Sequence, residues 1–207
     1  VWALYLLLLL ILSIFFLMRF FILFLVSIFI ISCTNNYNPT VVSARKDASE
    51  IGLKIMEDGG NAFDAMIAVQ LALSVSHPTA GNISGGGFMV YKLSDGSEGS
   101  LDFREKAPNS SSADMYLDED GNVITGLSSL GGLAVGVPGT ISAIFDIHEK
   151  FGLLPIEDLF KPSIELAENG FLVTKYLEDE LNEKRNVFIM MNGEESLYSK
   201  NYQEGDK

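Results

Sequence analysis

The chain has 207 residues, with 27 acidic against 14 basic side chains, a net charge of −13 and one cysteine. That length accommodates one globular domain plus a targeting segment. The acidity repels phosphate backbones and so excludes nucleic acid as a partner, and a single cysteine excludes an intrachain disulfide or a cysteine metal cluster.

Residues 1–33 carry one charged side chain, Arg19, whereas all 27 acidic residues and 13 of the 14 basic ones follow Cys33, which leaves −14 on the remainder. The apolar stretch is longer than the roughly 20 residues that span a bilayer. A start at Met18 shortens it. Met18-Arg19-Phe20 then forms a positive n-region and residues 21–31 an apolar h-region of about the expected 7–15 residues, with small Ser32 before Cys33. The arrangement resembles a bacterial lipoprotein signal with Ile30-Ile31-Ser32-Cys33 as its lipobox, although Ile30 stands where leucine is usual. Three fates stay open: cleavage before Cys33 with lipid on the cysteine, an uncleaved anchor, or cleaved secretion. Residues 1–17 are expected to be upstream sequence. The expected organisation is a signal or anchor over 1–33, a polar linker over 34–40 and a globular part over 41–207.

The globular part opens with a helix in which Asp47 is the expected cap. Ala48, Ile51, Ile55 and Met56 recur at helical spacing, and Gly59-Gly60 stops the helix. Asn61 caps a second helix with Asp64 three residues on, and Ala65, Ala68, Val69, Ala72 and Leu73 form its expected buried face. That helix ends near His77-Pro78. A glycine-rich loop, 81–87, precedes a predicted hairpin of strands 88–93 and 100–104 around Ser94-Asp95-Gly96-Ser97. Turns and a second glycine-rich stretch, 127–139, lead to a helix over 140–150, whose predicted inner face is Ile141, Ile144, Phe145 and His148. Pro155 starts a short helix, and Pro162 opens another that stops at Gly170. Beyond Asn186 the sequence is polar and weakly patterned. Helices, a hairpin and more helices predict an α+β or layered α/β fold.

The chemical motifs are sparse. No Gly-Lys-Ser/Thr follows the first glycine loop, and no helix opens there, so neither a Walker A loop nor a dinucleotide fingerprint is present. Ser84 misses the Gly-x-Ser-x-Gly pattern of a nucleophile elbow and leads into a strand. His77 reads as a helix-end residue and His148 as a structural one, and neither lies in a metal-binding pattern. Arg104 follows Asp102 at strand spacing, so the two share a face. It is either a structural partner of Asp102, a surface charge, or a bidentate fork for a carboxylate.

Six stretches in order resemble the γ-glutamyltranspeptidase family: Asp58 to Ala65, His77 to Asn82, Gly85 to Met89, Asp102 to Pro108, Gly136 to Thr140 and Ala167 to Phe171. Gly205-Asp206 looks like one further motif, and Ser84 departs from the family's usual glycine. The resemblance implies an αββα sandwich of the N-terminal-nucleophile hydrolase type, incomplete in these residues. It also implies a precursor that cleaves itself, so that a new N-terminal threonine forms a γ-glutamyl-enzyme from glutathione and related amides. That threonine is expected in a C-terminal, small-subunit part beyond Lys207, so no catalytic residue is assigned here. Arg104 matches the arginine that binds the substrate's α-carboxylate, and Glu105 is given a supporting role. No cofactor or metal is implied. The expected partners are a small γ-glutamyl substrate, the small-subunit part and a membrane reached through the N-terminal segment or lipidated Cys33. The expected location is the bacterial cell envelope, membrane-anchored or periplasmic. The alternative is a non-catalytic envelope lipoprotein, or a pseudogene fragment, that keeps the fold and a glutamate-like ligand site.

Overall fold

The computed structural model describes residues 2, 13–21 and 38–207, and the chain divides into two units, 1–38 and 39–207. In the first unit residues 13–21 are helical and exposed, with the rings of Phe16 and Phe20 5.0 Å apart. Cys33, the lipobox around it and most of the expected linker lie outside the described residues. Among the described residues no helix is long and apolar enough to cross a membrane.

The second unit begins with α1, Lys46–Glu57, and α2, Ala62–Ser76. Asp47 does not cap α1: Arg45 holds the cap position without a side-chain bond, and Asp47 sits inside the first turn. Its carboxylate accepts instead from Arg45 Nη2 at 3.1 Å and from Ser76 Oγ at 3.0 Å, which ties the start of α1 to the end of α2. A carboxylate in a first turn still faces the positive end of the helix dipole. Gly59 ends α1 at φ 101°, a left-handed conformation that a side chain would strain, and Gly60 N–H closes onto Ile55 O at 2.9 Å.

The start of α2 is the expected capping box. Asn61 Oδ1 accepts from the Phe63 and Asp64 amides, and Asp64 Oδ2 accepts from Asn61 N at 3.0 Å. Of the predicted face Ala65, Ala68 and Ala72 are buried, joined by Asp64, Ile67, Leu71 and Ser76, whereas Val69 and Leu73 are only partly buried. A helix apolar on every side is one with neighbours on every side. α2 is the centre of the unit, and Ile67, Ala68 and Leu71 share one core with Ile55 of α1 and with residues of the later helices.

Strands β1, Phe88–Lys92, and β2, Glu98–Asp102, pair antiparallel with Phe88 opposite Asp102. β2 therefore ends two residues before Arg104, where the sequence had placed its end. The turn forms as expected, with Gly96 at φ 89° and Asp95 Oδ1 accepting from Ser97 N at 2.8 Å. One sheet face, with Met89 and Leu101, packs on the core; the other leaves Phe88 and Val90 exposed.

Helix α3, Thr140–Phe151, buries Thr140, Ala143, Ile144 and Ile147. The inner face is thus rotated from the predicted one, and Phe145 points outward, about half exposed. Phe151 stacks on Phe63 at 4.2 Å, and both meet Tyr91 edge-on, which locks α2, α3 and β1 together. Residues 156–169 form one helix, α4, not the two predicted. Pro155 caps it, Pro162 lies inside it, and packing of Leu159 into the core holds it through the proline. Helix α5, Lys175–Asn192, was not anticipated. Thr174 caps it by accepting from Leu177 N at 3.3 Å, and Leu177 and Leu181 pack with Val173, Phe171, Phe188 and Tyr202 in a second small core.

Candidate functional site

Arg104 and Glu105 follow β2 on a segment held by backbone on several sides. Phe103 N–H donates to Gly87 O at 3.0 Å, so the ladder continues past the strand, and Lys106 exchanges backbone bonds of 3.1 and 2.7 Å with Val137. Three glycines from distant positions line this segment. A Cβ at Gly86 would lie 2.6 Å from Phe103 O and 2.7 Å from Arg104 Cα. One at Gly139 would overlap the Phe103 carbonyl, and one at Gly136 would lie 3.0 Å from Glu105 Cβ. The two glycine-rich loops thus act together as a cradle. Asn82 Oδ1 accepts from Gly85 N, and Gly85 O accepts from the amides of Gly139 and Thr140 at 2.8 and 3.0 Å, so the two loops are joined.

Asp102 Oδ1 accepts from the Arg104 backbone N–H at 3.0 Å, while the Arg104 side chain turns to Glu105, with Nε donating to Oε2 at 2.9 Å. Of the readings open for Arg104, the side-chain pair with Asp102 is not formed: Asp102 fixes the backbone and Glu105 the guanidinium. The two terminal amino groups of Arg104 make no hydrogen bond among the described residues, and the side chain is 59% exposed. The hydrogen bond from Arg104, with help from the Glu105 and Gly86 amides, holds the Glu105 carboxyl below the usual carboxylate range, and Glu105 in turn raises the Arg104 guanidinium further. Both are charged at neutral pH. The guanidinium carbon also lies 5.7 Å from the centre of the Phe88 ring. Sequence reasoning took Phe88 only as a strand residue; the strand register, which sets it opposite Asp102, is the signal that would have placed it beside Arg104.

A cavity of about 270 Å³ adjoins the site, lined by Asp102, Arg104, Lys106, Gly139, Ser142 and Asp146 among others. A larger one, about 660 Å³, lies between α1 and α4 and does not include Arg104; contact with Arg104, not volume, singles out the smaller. The other candidates separate from it. His77 closes α2 and lies 6.0 Å from the Tyr176 ring, and His148 bonds to Leu154 O at 2.7 Å, each the structural role expected. Ser84 is exposed in the glycine loop. Among the described residues no three His, Cys, Asp or Glu side chains are grouped to hold a metal ion. The site can therefore offer a cation and a planar pair of donors to an anionic group.

The family model for gamma-glutamyltranspeptidase matches residues 48–205. The chain is 52% identical over 136 residues to a glutathione hydrolase proenzyme of Pseudomonas sp. (strain A14), covering 66% of this chain and 24% of that protein. It is 41% identical over 141 residues to the glutathione hydrolase proenzyme of Escherichia coli (strain K12), covering 68% and 24%. The crystal structure of Helicobacter pylori gamma-glutamyltranspeptidase superposes with a TM-score of 0.78 at 42% identity, covering 84% of this chain and 51% of that one. The chain spans about a quarter of the length of the curated relatives it matches. Its layered α+β fold is that of the N-terminal-nucleophile hydrolases, present here in part. By the extent of the family match, by identity and by fold, this chain belongs to the γ-glutamyltranspeptidase family.

Proposed function

We propose that this chain supplies the α-carboxylate-binding part of an enzyme that transfers or hydrolyses γ-glutamyl groups. The observation that carries the reading is Arg104, exposed on a glycine-cradled segment with its terminal amino groups uncommitted. Those groups match the fork geometry of a carboxylate, and charge-assisted pairs of this kind are the strong hydrogen bonds. Glu105 holds the other edge of the guanidinium.

In this reading the substrate is glutathione or a related γ-glutamyl amide, as the names of the relatives suggest. Arg104 anchors the α-carboxylate and so sets the position of the γ-carbonyl. The nucleophile is an N-terminal threonine exposed by self-cleavage in a small-subunit part C-terminal to Lys207. Its hydroxyl attacks the γ-carbonyl, its own α-amino group takes the proton and returns it to the departing amine, and water or an acceptor amine releases the γ-glutamyl group. The protein resides in the bacterial cell envelope, held there by lipid on Cys33 after residues 18–32 have directed its export and been cleaved off.

The test uses the full-length gene product. Release from a γ-glutamyl anilide is compared with release from its α-carboxamide analogue, in wild type and R104Q. Loss of a charge-assisted pair predicts a fall of roughly 10- to 100-fold in kcat/KM for the acid and little change for the amide. Equal turnover of acid and amide by the wild-type protein overturns the role of Arg104. Absence of any release overturns the enzyme reading and leaves a binding protein.

A further inference from the structure

Arg104 is restrained by two contacts at right angles in kind. Glu105 holds the edge of the guanidinium through Nε at 2.9 Å. The guanidinium carbon lies over the Phe88 ring, 5.7 Å from its centre and inside the roughly 6 Å over which a ring quadrupole attracts a cation. The hairpin dictates this approach. Phe88 opens β1 opposite Asp102, the last residue of β2, and side chains two apart share a face, so Phe88, Asp102 and Arg104 follow one another on the outer side. The bond from Phe103 N to Gly87 O carries the register past the strand end. Within the described residues Phe88 does not join the core: it is 67% exposed, whereas its neighbour Met89 packs there.

We propose that Phe88 is a positioning residue, its ring face holding the Arg104 guanidinium so that the two terminal amino groups present a fixed fork to the substrate carboxylate. The inference rests on the reading of Arg104 given above. A long, exposed arginine otherwise samples many rotamers, and each loses part of the bidentate geometry. With Nε held by Glu105 and the cation drawn to the Phe88 ring, the two terminal amino groups are aimed.

The experiment measures kcat and KM of the full-length protein on the γ-glutamyl anilide and its α-carboxamide for wild type, F88L, F88W and R104Q. A cation–π contact at an exposed position predicts a rise of about two- to fivefold in KM for the acid in F88L. kcat moves less than KM, and the acid-to-amide ratio of kcat/KM falls by the same two- to fivefold. F88W retains the ratio, since the indole face is the stronger partner. A merely structural role for Phe88 would move acid and amide together. If F88L does not mature, F88M, similar in volume and without a ring face, reads the same ratio. An unchanged ratio in the leucine or methionine variant, with a collapsed ratio in R104Q, overturns the proposal and leaves Arg104 in place. An unchanged ratio in R104Q overturns both.

Discussion

Asp64 shows how much one carboxylate can hold. It is fully buried, accepts from Asn61 N at 3.0 Å and from Leu153 N at 3.2 Å, and so joins the start of α2 to the residues after α3. Asn61 Nδ2 adds a bond of 2.6 Å to Phe151 O. D64A removes the cap partner and the acceptor of the Asn61 and Leu153 amides, which lie in a partly buried and an exposed residue, and it empties a fully buried site; an orphaned group costs about 1–3 kcal/mol where water cannot reach it and less where it can. We expect a loss of about 2–4 kcal/mol in chemical denaturation of the full-length protein, and a smaller one for D64N, which keeps one oxygen acceptor. Glu105 gives the residue-scale pH dependence. Its folded pKa lies below the unfolded one, so the contribution of its pairing with Arg104 is fully present above the ordinary glutamate value near 4.3 and disappears as the pH falls through the lowered folded value. KM for the carboxylate substrate should therefore stay flat from pH 7 to about 5, and any rise below that should include a limb that E105Q abolishes. The same limb surviving in E105Q would assign it to another group. Arg104 itself was visible as a residue of interest from strand alternation, but that reasoning left its partner open, because an aspartate two residues earlier can reach the backbone amide as readily as the guanidinium.

Among the elements, those specified by local chemistry were legible. The capping box at Asn61 and Asp64, the stop at Gly59-Gly60 and the turn at Asp95-Gly96 each satisfy backbone groups within a few residues, so the sequence alone contains both partners. Elements settled by distant packing were not. Phe145 fits the spacing of an inner face, yet Ala143 and Ile147 take that face because α2 lies close. α5 is mostly polar along its length and becomes a helix with a buried side only where Val173 and Tyr202 meet Leu177 and Leu181. The cradle joins glycines 86, 136 and 139 to a segment between them, and no local pattern announces that. α4 gives the clearest test of this scale. Pro162 removes one backbone hydrogen bond from a continuous helix, and interior proline costs about 3 kcal/mol against alanine. P162A should gain about 1–2 kcal/mol, less than the full amount because proline also restricts the unfolded chain, and should raise Tm in a thermal melt. A lower Tm would mean that the proline ring itself packs in a way alanine cannot replace.

At the scale of the molecule, the second unit carries apolar surface that nothing in it covers. Phe88 and Val90 on the outer sheet face, with Val135 and Val137 in the second glycine-rich stretch, are all at least half exposed. The hairpin also has two edges without a further strand among the described residues, and exposed apolar strands with open edges promote aggregation. Residues 39–207 produced alone are therefore expected to aggregate or to bind a hydrophobic dye strongly, and co-production with the downstream part of the full-length protein is expected to suppress both. A soluble monomer that binds no dye and hydrolyses glutathione would contradict this and the placement of the nucleophile. One feature of the second small core acts earlier in the life of the protein. Val173 N–H donates to Asp206 O at 2.8 Å and Gly205 N–H to Val173 O at 2.9 Å, so the residue that precedes α5 is latched by residues made long after it. At translation rates of about 5–20 residues per second, the latch arrives a few seconds after Val173 has been joined to the nascent chain. During that interval Leu177 and Leu181 have no Tyr202 to pack against, so this small core closes only after residues 202–206 have been joined and have emerged with it.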